Sequence, residues 1–247
     1  MEHFIDTVET IEEGFGFRQF GGLHFAWLAV MTVTIVLNAL WYRRASDTAR
    51  IRWNKTVAVL LLLNEVFKMV MLFIGGNYLA NYLPLHLCSV NIFLIAWHAW
   101  KPTKLIDNFL YTICIPGTLA ALLFPSWTRL PALNAMHIHS FTVHILLALY
   151  PIVLTVAGEI RPDWRTLPKC IGFLLLLAGV IYGANLALDT NFMFLMGAGK
   201  GNPLYWFEKS WGSHLWGFAV IVPSVLIVMY LPLELYRMRY KKNPKTE

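Results

Sequence analysis

Seven apolar runs, near residues 22–42, 56–76, 84–100, 105–123, 137–157, 169–188 and 215–236, take up most of this chain, each bounded by charges, Pro, Gly or Trp. Runs of this length match the ~20 residues a helix needs to cross the hydrocarbon layer. A helix also satisfies its own backbone there, where no water can do so. The fold class expected is therefore all-α: a polytopic membrane protein built as a seven-transmembrane-helix bundle. Composition agrees, since 57% of residues are hydrophobic and 14% charged, against about 25% charged in soluble domains. A water-soluble globular enzyme is excluded, and 247 residues leave no room for a sizeable domain beside the spans.

Charge sets the expected orientation. The first–second, third–fourth and fifth–sixth connections and the tail hold fifteen of the twenty lysines and arginines. The opposite side holds four, Arg18, Arg129, Lys200 and Lys209, and Lys68 lies within a span. By the positive-inside rule the N-terminus is outside and the C-terminus cytoplasmic, in a multi-pass protein of the cell membrane. Three segments follow: an amphipathic outer-surface segment over 1–20, the transmembrane domain over 21–237 and a basic cytoplasmic tail over 238–247. In the first, Phe4, Val8, Ile11 and Phe15 recur at helical spacing among acidic residues, which predicts a short interfacial helix or a solvated acidic tail. No cleavable leader is read there, because a basic start followed by an apolar stretch is missing. All tryptophans but Trp27 fall near run ends, as interfacial anchors do. The Gly-Lys-Gly of 199–201 does not complete a phosphate loop. The partners expected are membrane lipids, with nothing asking for nucleic acid.

Polar residues inside the runs carry the functional information, because side chains of this kind turn away from lipid. The second run holds Asn64, Glu65 and Lys68, the third His86, Cys88, Asn91 and His98, and the fifth His137, His139 and His144; the sixth ends in Asn185 and Asp189. Most of them fall in the outer half. At 1.5 Å per residue, Cys88 lies roughly 6 Å below Pro84 and His144 roughly 10 Å below His137, depths compatible with contact across the bundle. Asn91 is one turn beyond Cys88 on nearly the same side, whereas His86 is about 200° away on an ideal helix. Glu65 and Lys68 are spaced to pair. Cys114 and Cys170 sit among apolar neighbours and read as packing residues.

The strings LPLHLCSV (83–90), HSFTVH (139–144) and NFMFL (191–195) resemble the YwaF-like integral membrane proteins, which are related to transmembrane protein 164. The resemblance spans about 22–236. It implies a seven-helix protein and, through transmembrane protein 164, a phospholipid acyltransferase that uses a membrane cysteine. Carried over by position, Cys88 is the nucleophile and His144 its base. A thiolate held by a neighbouring imidazole would attack a lipid ester and form a thioester, and the imidazole would then activate a lysolipid hydroxyl. Asn91 or Asn185 would donate to the oxyanion, with His86, His137 and Asp189 completing the substrate-binding set. This chemistry needs neither cofactor nor metal.

Two alternatives stand beside it. His-x-His-x4-His in the fifth run, with His86 and Asp189, supplies enough ligands for a zinc-dependent lipid hydrolase. The Glu65/Lys68 pair at mid-membrane is the feature that favours a small-molecule or ion transporter, against which stands the lack of a visible inverted repeat.

Overall fold

The computed structural model describes residues 3–199 and 202–242. Lys200 and the part of the expected basic tail from 243 onward lie outside the described residues. Among the described residues, seven helical segments are long and apolar enough to cross a membrane, and there is no strand. Helix α1 (Gly22–Arg44) is joined by a tight turn to α2 (Asp47–Ile74), whose N-cap Ser46 accepts from the Ala49 amide. A short 3-10 turn, Ala80–Tyr82, leads into α3 (Leu87–Trp100). The fourth span is composite: α4 (Lys104–Phe109), a π-helical turn over Leu110–Cys114, and α5 (Ile115–Leu123). Then come α6 (Ala135–Val156), α7 (Leu167–Leu188), a short α8 (Pro203–Trp211) and α9 (Leu215–Lys242).

The π-helical turn has a local cause. Pro116 follows it, has no amide hydrogen, and presses its ring against the carbonyl four residues earlier, that of Thr112. Widening the preceding turn relieves that collision. It also turns Thr112 and Tyr111 toward α9, where the Thr112 hydroxyl lies 2.7 Å from that of Tyr230 and the Tyr111 hydroxyl donates to the Met229 carbonyl at 3.0 Å.

Burial identifies the axis of the bundle. In α6, 61% of the apolar window is buried, against 11% for the spans of α1 and α7 and 6% for that of α9. Helix α6 therefore runs through the middle, packed by α1, α2, α3 and α5, and α7 and α9 present most of their surface to lipid. The main core gathers Leu61 from α2, Ile92 and Ile95 from α3, and Leu147 and Tyr150 from α6.

Residues 3–21 do not form the helix their spacing predicted; they run as turns and bends over one end of the bundle. Of the apolar side chains spaced for a helix, Phe4, Val8 and Ile11 pack down on the bundle, while Phe15 stays exposed. Ile11 is buried against Trp127 and Leu130, and the Phe17 amide donates to the Thr128 carbonyl at 2.8 Å. A Cβ at Gly16 would collide with that same carbonyl oxygen, so this close approach requires glycine. Asn134 ties the segment to the axis. As N-cap of α6, its Oδ1 accepts from the amides of Met136 and His137, and its Nδ2 donates to the carbonyls of His3 and Asp6 at 2.7 and 2.8 Å. We refer to this side as the amino-terminal end and to the other, rich in Lys and Arg, as the basic end.

Asn134→Ala removes a helix cap and both anchors of the amino-terminal segment. It is expected to lower stability by about 1–3 kcal/mol and to open residues 3–21 to protease, read from the thermal midpoint and limited proteolysis of the purified protein in detergent.

Candidate functional site

The polar residues of α2, α3 and α6 meet in the amino-terminal half of the bundle. From α6, the His139 Nδ1–H donates to Asn64 of α2, 2.5 Å from its side-chain oxygen and 3.1 Å from its carbonyl. The Asn64 amide donates in turn to the Thr142 hydroxyl at 2.7 Å. One turn along α2, the Lys68 ammonium donates to the Glu65 carboxylate at 2.5 Å, the pairing that the sequence spacing anticipated. His86 and His139 both lie within electrostatic range of Lys68 and His144. Lys68 of α2 and His139 of α6 are buried here, His144 of α6 and His86 just before α3 partly so, and Glu65 is the acid paired with Lys68.

His144 is held through one ring nitrogen. Its Nδ1–H donates to the Ser140 carbonyl one turn back at 2.6 Å, which fixes the tautomer and leaves the Nε2 lone pair available. Its ring stacks on Trp127, with centroids 5.1 Å apart and planes at 18°. Trp127, read in the sequence as an interfacial anchor, is in fact buried.

Cys88 is partly buried in the first turn of α3. It packs on the core that contains Val143 and Leu147, the α6 residues flanking His144 in sequence and one turn on, together with Cys114. No hydrogen bond to its Sγ is formed among the described residues, to His144 or to any other group. Cys114 is the better-held thiol, 3.6 Å from the Leu147 carbonyl and 3.8 Å from the Thr118 hydroxyl. Asn91, one turn beyond Cys88, is 2% exposed. Among the described residues two buried side-chain polar atoms lack a hydrogen-bond partner, Asn91 Oδ1 and Trp127 Nε1. An unpaired buried polar group costs about 1–3 kcal/mol. That both occur beside Cys88 and His144 marks this region as one the fold does not satisfy by itself.

His86 does not obey the ideal-helix angle assigned to it, because α3 begins only at Leu87 and His86 is extended (φ −67°, ψ 151°). Its Nδ1 accepts from the Met193 amide at 3.4 Å, and its ring meets Phe192 edge-on. Two of the sequence strings singled out above therefore touch. The contacting loop is strained: Met193 and Phe194 both adopt left-handed φ, 58° and 56°, at a cost of roughly 1–2 kcal/mol each. Strain of this kind collects at functional sites.

Other predicted site residues serve the scaffold. Asn185 spends its side chain on the turn after α7, accepting from the Phe192 amide at 2.8 Å and the Thr190 hydroxyl at 3.0 Å and donating to the Phe192 carbonyl. Asp189 is the left-handed C-cap of α7 and is exposed. His137 has both ring nitrogens engaged: Nε2 accepts from the Trp27 indole at 2.9 Å, and Nδ1 donates to the Leu130 carbonyl at 3.2 Å. The His-x-His-x4-His spacing therefore does not converge as a ligand set, and among the described residues no three His, Cys, Asp or Glu are grouped to hold a metal.

Sequence reasoning passed over one network at the basic end. His98 lies 2.6 Å from Asp107 through Nε2 and 2.8 Å from the Tyr150 hydroxyl through Nδ1. Nearby, the Tyr42 hydroxyl donates to Glu159 at 2.8 Å, and Arg50 reaches the same carboxylate. The signal available beforehand was a His and an Asp in runs joined by a short connection.

The arrangement is that of a polytopic helical membrane protein with a buried polar site in one half of its bundle, in contact with lipid. Within that class, the model of the TMEM164 family matches residues 19–233, and the chain belongs to this family. No curated protein and no solved structure matches it.

The buried pair sets a stability test. Lys68→Met strands Glu65 and is expected to cost about 3–5 kcal/mol, while Glu65→Leu with Lys68→Met recovers most of that loss. Thermal unfolding of the single and double variants checks both.

Proposed function

We propose that this protein is a lipid acyltransferase of the YwaF-like kind, forming an acyl thioester on Cys88 with His144 as base. The observation that carries the reading is the state of His144: a tautomer fixed on Ser140, with Nε2 free to take a proton. Family membership and the contact between His86 and Met193 add to it.

In the first half-reaction the Sγ–H proton passes to His144 Nε2 and the thiolate attacks the ester carbonyl of a phospholipid. A C–S bond forms, the C–O bond to glycerol breaks, and the proton leaves on the lysolipid oxygen. In the second, an acceptor hydroxyl gives its proton to Nε2 and attacks the thioester, and the proton returns to the departing sulfur. The Asn91 amide is a donor for the oxyanion, a role worth roughly 3–4 kcal/mol where measured. Trp127 Nε1–H, buried beside His144 and unpaired, is a second donor of suitable type. In this reading the amino-terminal end faces outward and the basic end the cytoplasm, and the membrane is that of the cell, following the charge distribution.

Proton-coupled transport is the second reading, and the buried Glu65–Lys68 pair is the observation in its favour. Flux in proteoliposomes that survives Cys88→Ala and fails in Glu65→Gln would decide for it.

Purified protein incubated with labelled phospholipid is expected to retain a hydroxylamine-sensitive acyl label. Cys88→Ala abolishes it, and His144→Ala slows its formation about 10²–10⁴-fold. An equally labile label on Cys88→Ser rejects the nucleophile.

A further inference from the structure

At the basic end a cavity of about 340 Å³ opens between the α6–α7 loop and the last turns of α9, with three guanidinium groups in its lining, those of Arg161, Arg165 and Arg237. Two carboxylates share it; Glu234 is neutralised by Arg237 and Asp163 keeps its charge, so the lining is net positive by one. Asp163 accepts from the Arg165 amide at 3.0 Å, and Glu234 pairs with Arg237 at 2.6 Å. Arg237 is further fixed by donating to the Pro162 carbonyl at 2.6 Å. The other two arginines hold charge in reserve. Arg161 uses its Nε on the Gly158 carbonyl at 3.0 Å, and Arg165 lies over the Trp164 ring, 5.9 Å from its centroid. Neither is paired with a carboxylate among the described residues.

Depth identifies what such a cavity meets. The neighbouring spans end at Val156 and Leu235 and the next begins at Trp164, so Arg161 and Arg237 lie beyond them and Arg165 at the very start of one, which puts the three guanidinium groups at the level of the headgroups. Trp164, half exposed, is the side chain expected at that boundary. Arginine forks match phosphate oxygens in a bidentate manner and desolvate readily. We infer that this cavity binds the phosphate of an anionic glycerophospholipid headgroup. It lies at the opposite end of the bundle from Cys88 and His144, so the lipid held there is a bound partner and not the acyl donor.

The test is native mass spectrometry of the full-length protein released from micelles containing phosphatidylglycerol or phosphatidylcholine, with inorganic phosphate added in a separate arm. Phosphatidylglycerol is expected to be retained preferentially. Its apparent affinity should fall about fivefold for each arginine removed, or roughly 25-fold in R161Q/R165Q. R165K keeps the charge but not the fork and is expected to hold the lipid with an affinity between those of the wild type and R165Q, which separates loss of the site from loss of fold. Inorganic phosphate that displaces the lipid with the same arginine dependence reassigns the cavity to a soluble phosphate compound and overturns the lipid source. Equal retention of the two lipids, or unchanged retention in R161Q/R165Q, overturns the site.

Discussion

A polar side chain placed in the hydrocarbon layer has no water to turn to, and its partner must come from another helix. Much of this structure follows from that requirement. Asn64, Glu65 and Lys68 on α2 cannot face lipid, so α2 turns them toward α6, and His139 and Thr142 on α6 meet Asn64 in return. The same demand at the basic end brings His98 of α3 to Asp107 of α4 and to Tyr150 of α6. Apolar packing fills the space between these two polar layers. Because α6 contributes to both, it is the helix that the others surround.

Around the proposed catalytic pair the requirement is only partly met. Among the described residues Asn91 and Trp127 each keep a buried polar atom without a partner, whereas His137 and Asn185 have theirs. This contrast separates scaffold from site more sharply than residue type does. A histidine with both nitrogens engaged, as in His137, has no capacity left for chemistry. One held at Nδ1 alone, as in His144, does.

The spans were legible because length and hydropathy are properties of each run taken singly. The Glu65–Lys68 pair was legible for the same reason, since both residues lie on one helix. What could not be read depended on partners far away in the chain. The apolar period of residues 4–15 looks helical, yet Ile11 is claimed by a loop more than a hundred residues later. Trp127 sits at the edge of a run as an anchor would, but the loop folds inward and stacks it on His144. The π-helical turn leaves little trace beyond Pro116, and the position of His86 follows from where α3 starts, which one turn of error reverses.

The amino-terminal segment has an implication for how the chain is made. Its anchor, Asn134, is separated from His3 by 131 positions and from Asp6 by 128, with four spans emerging in between. During synthesis this segment can dock early on the α2–α3 connection, where Asn77 donates to the Ile5 carbonyl and the Tyr82 hydroxyl to Glu9, but its attachment to Asn134 waits until the fifth span enters the membrane. Closing this end of the bundle is therefore completed only once the span that carries His139 and His144 is itself in place.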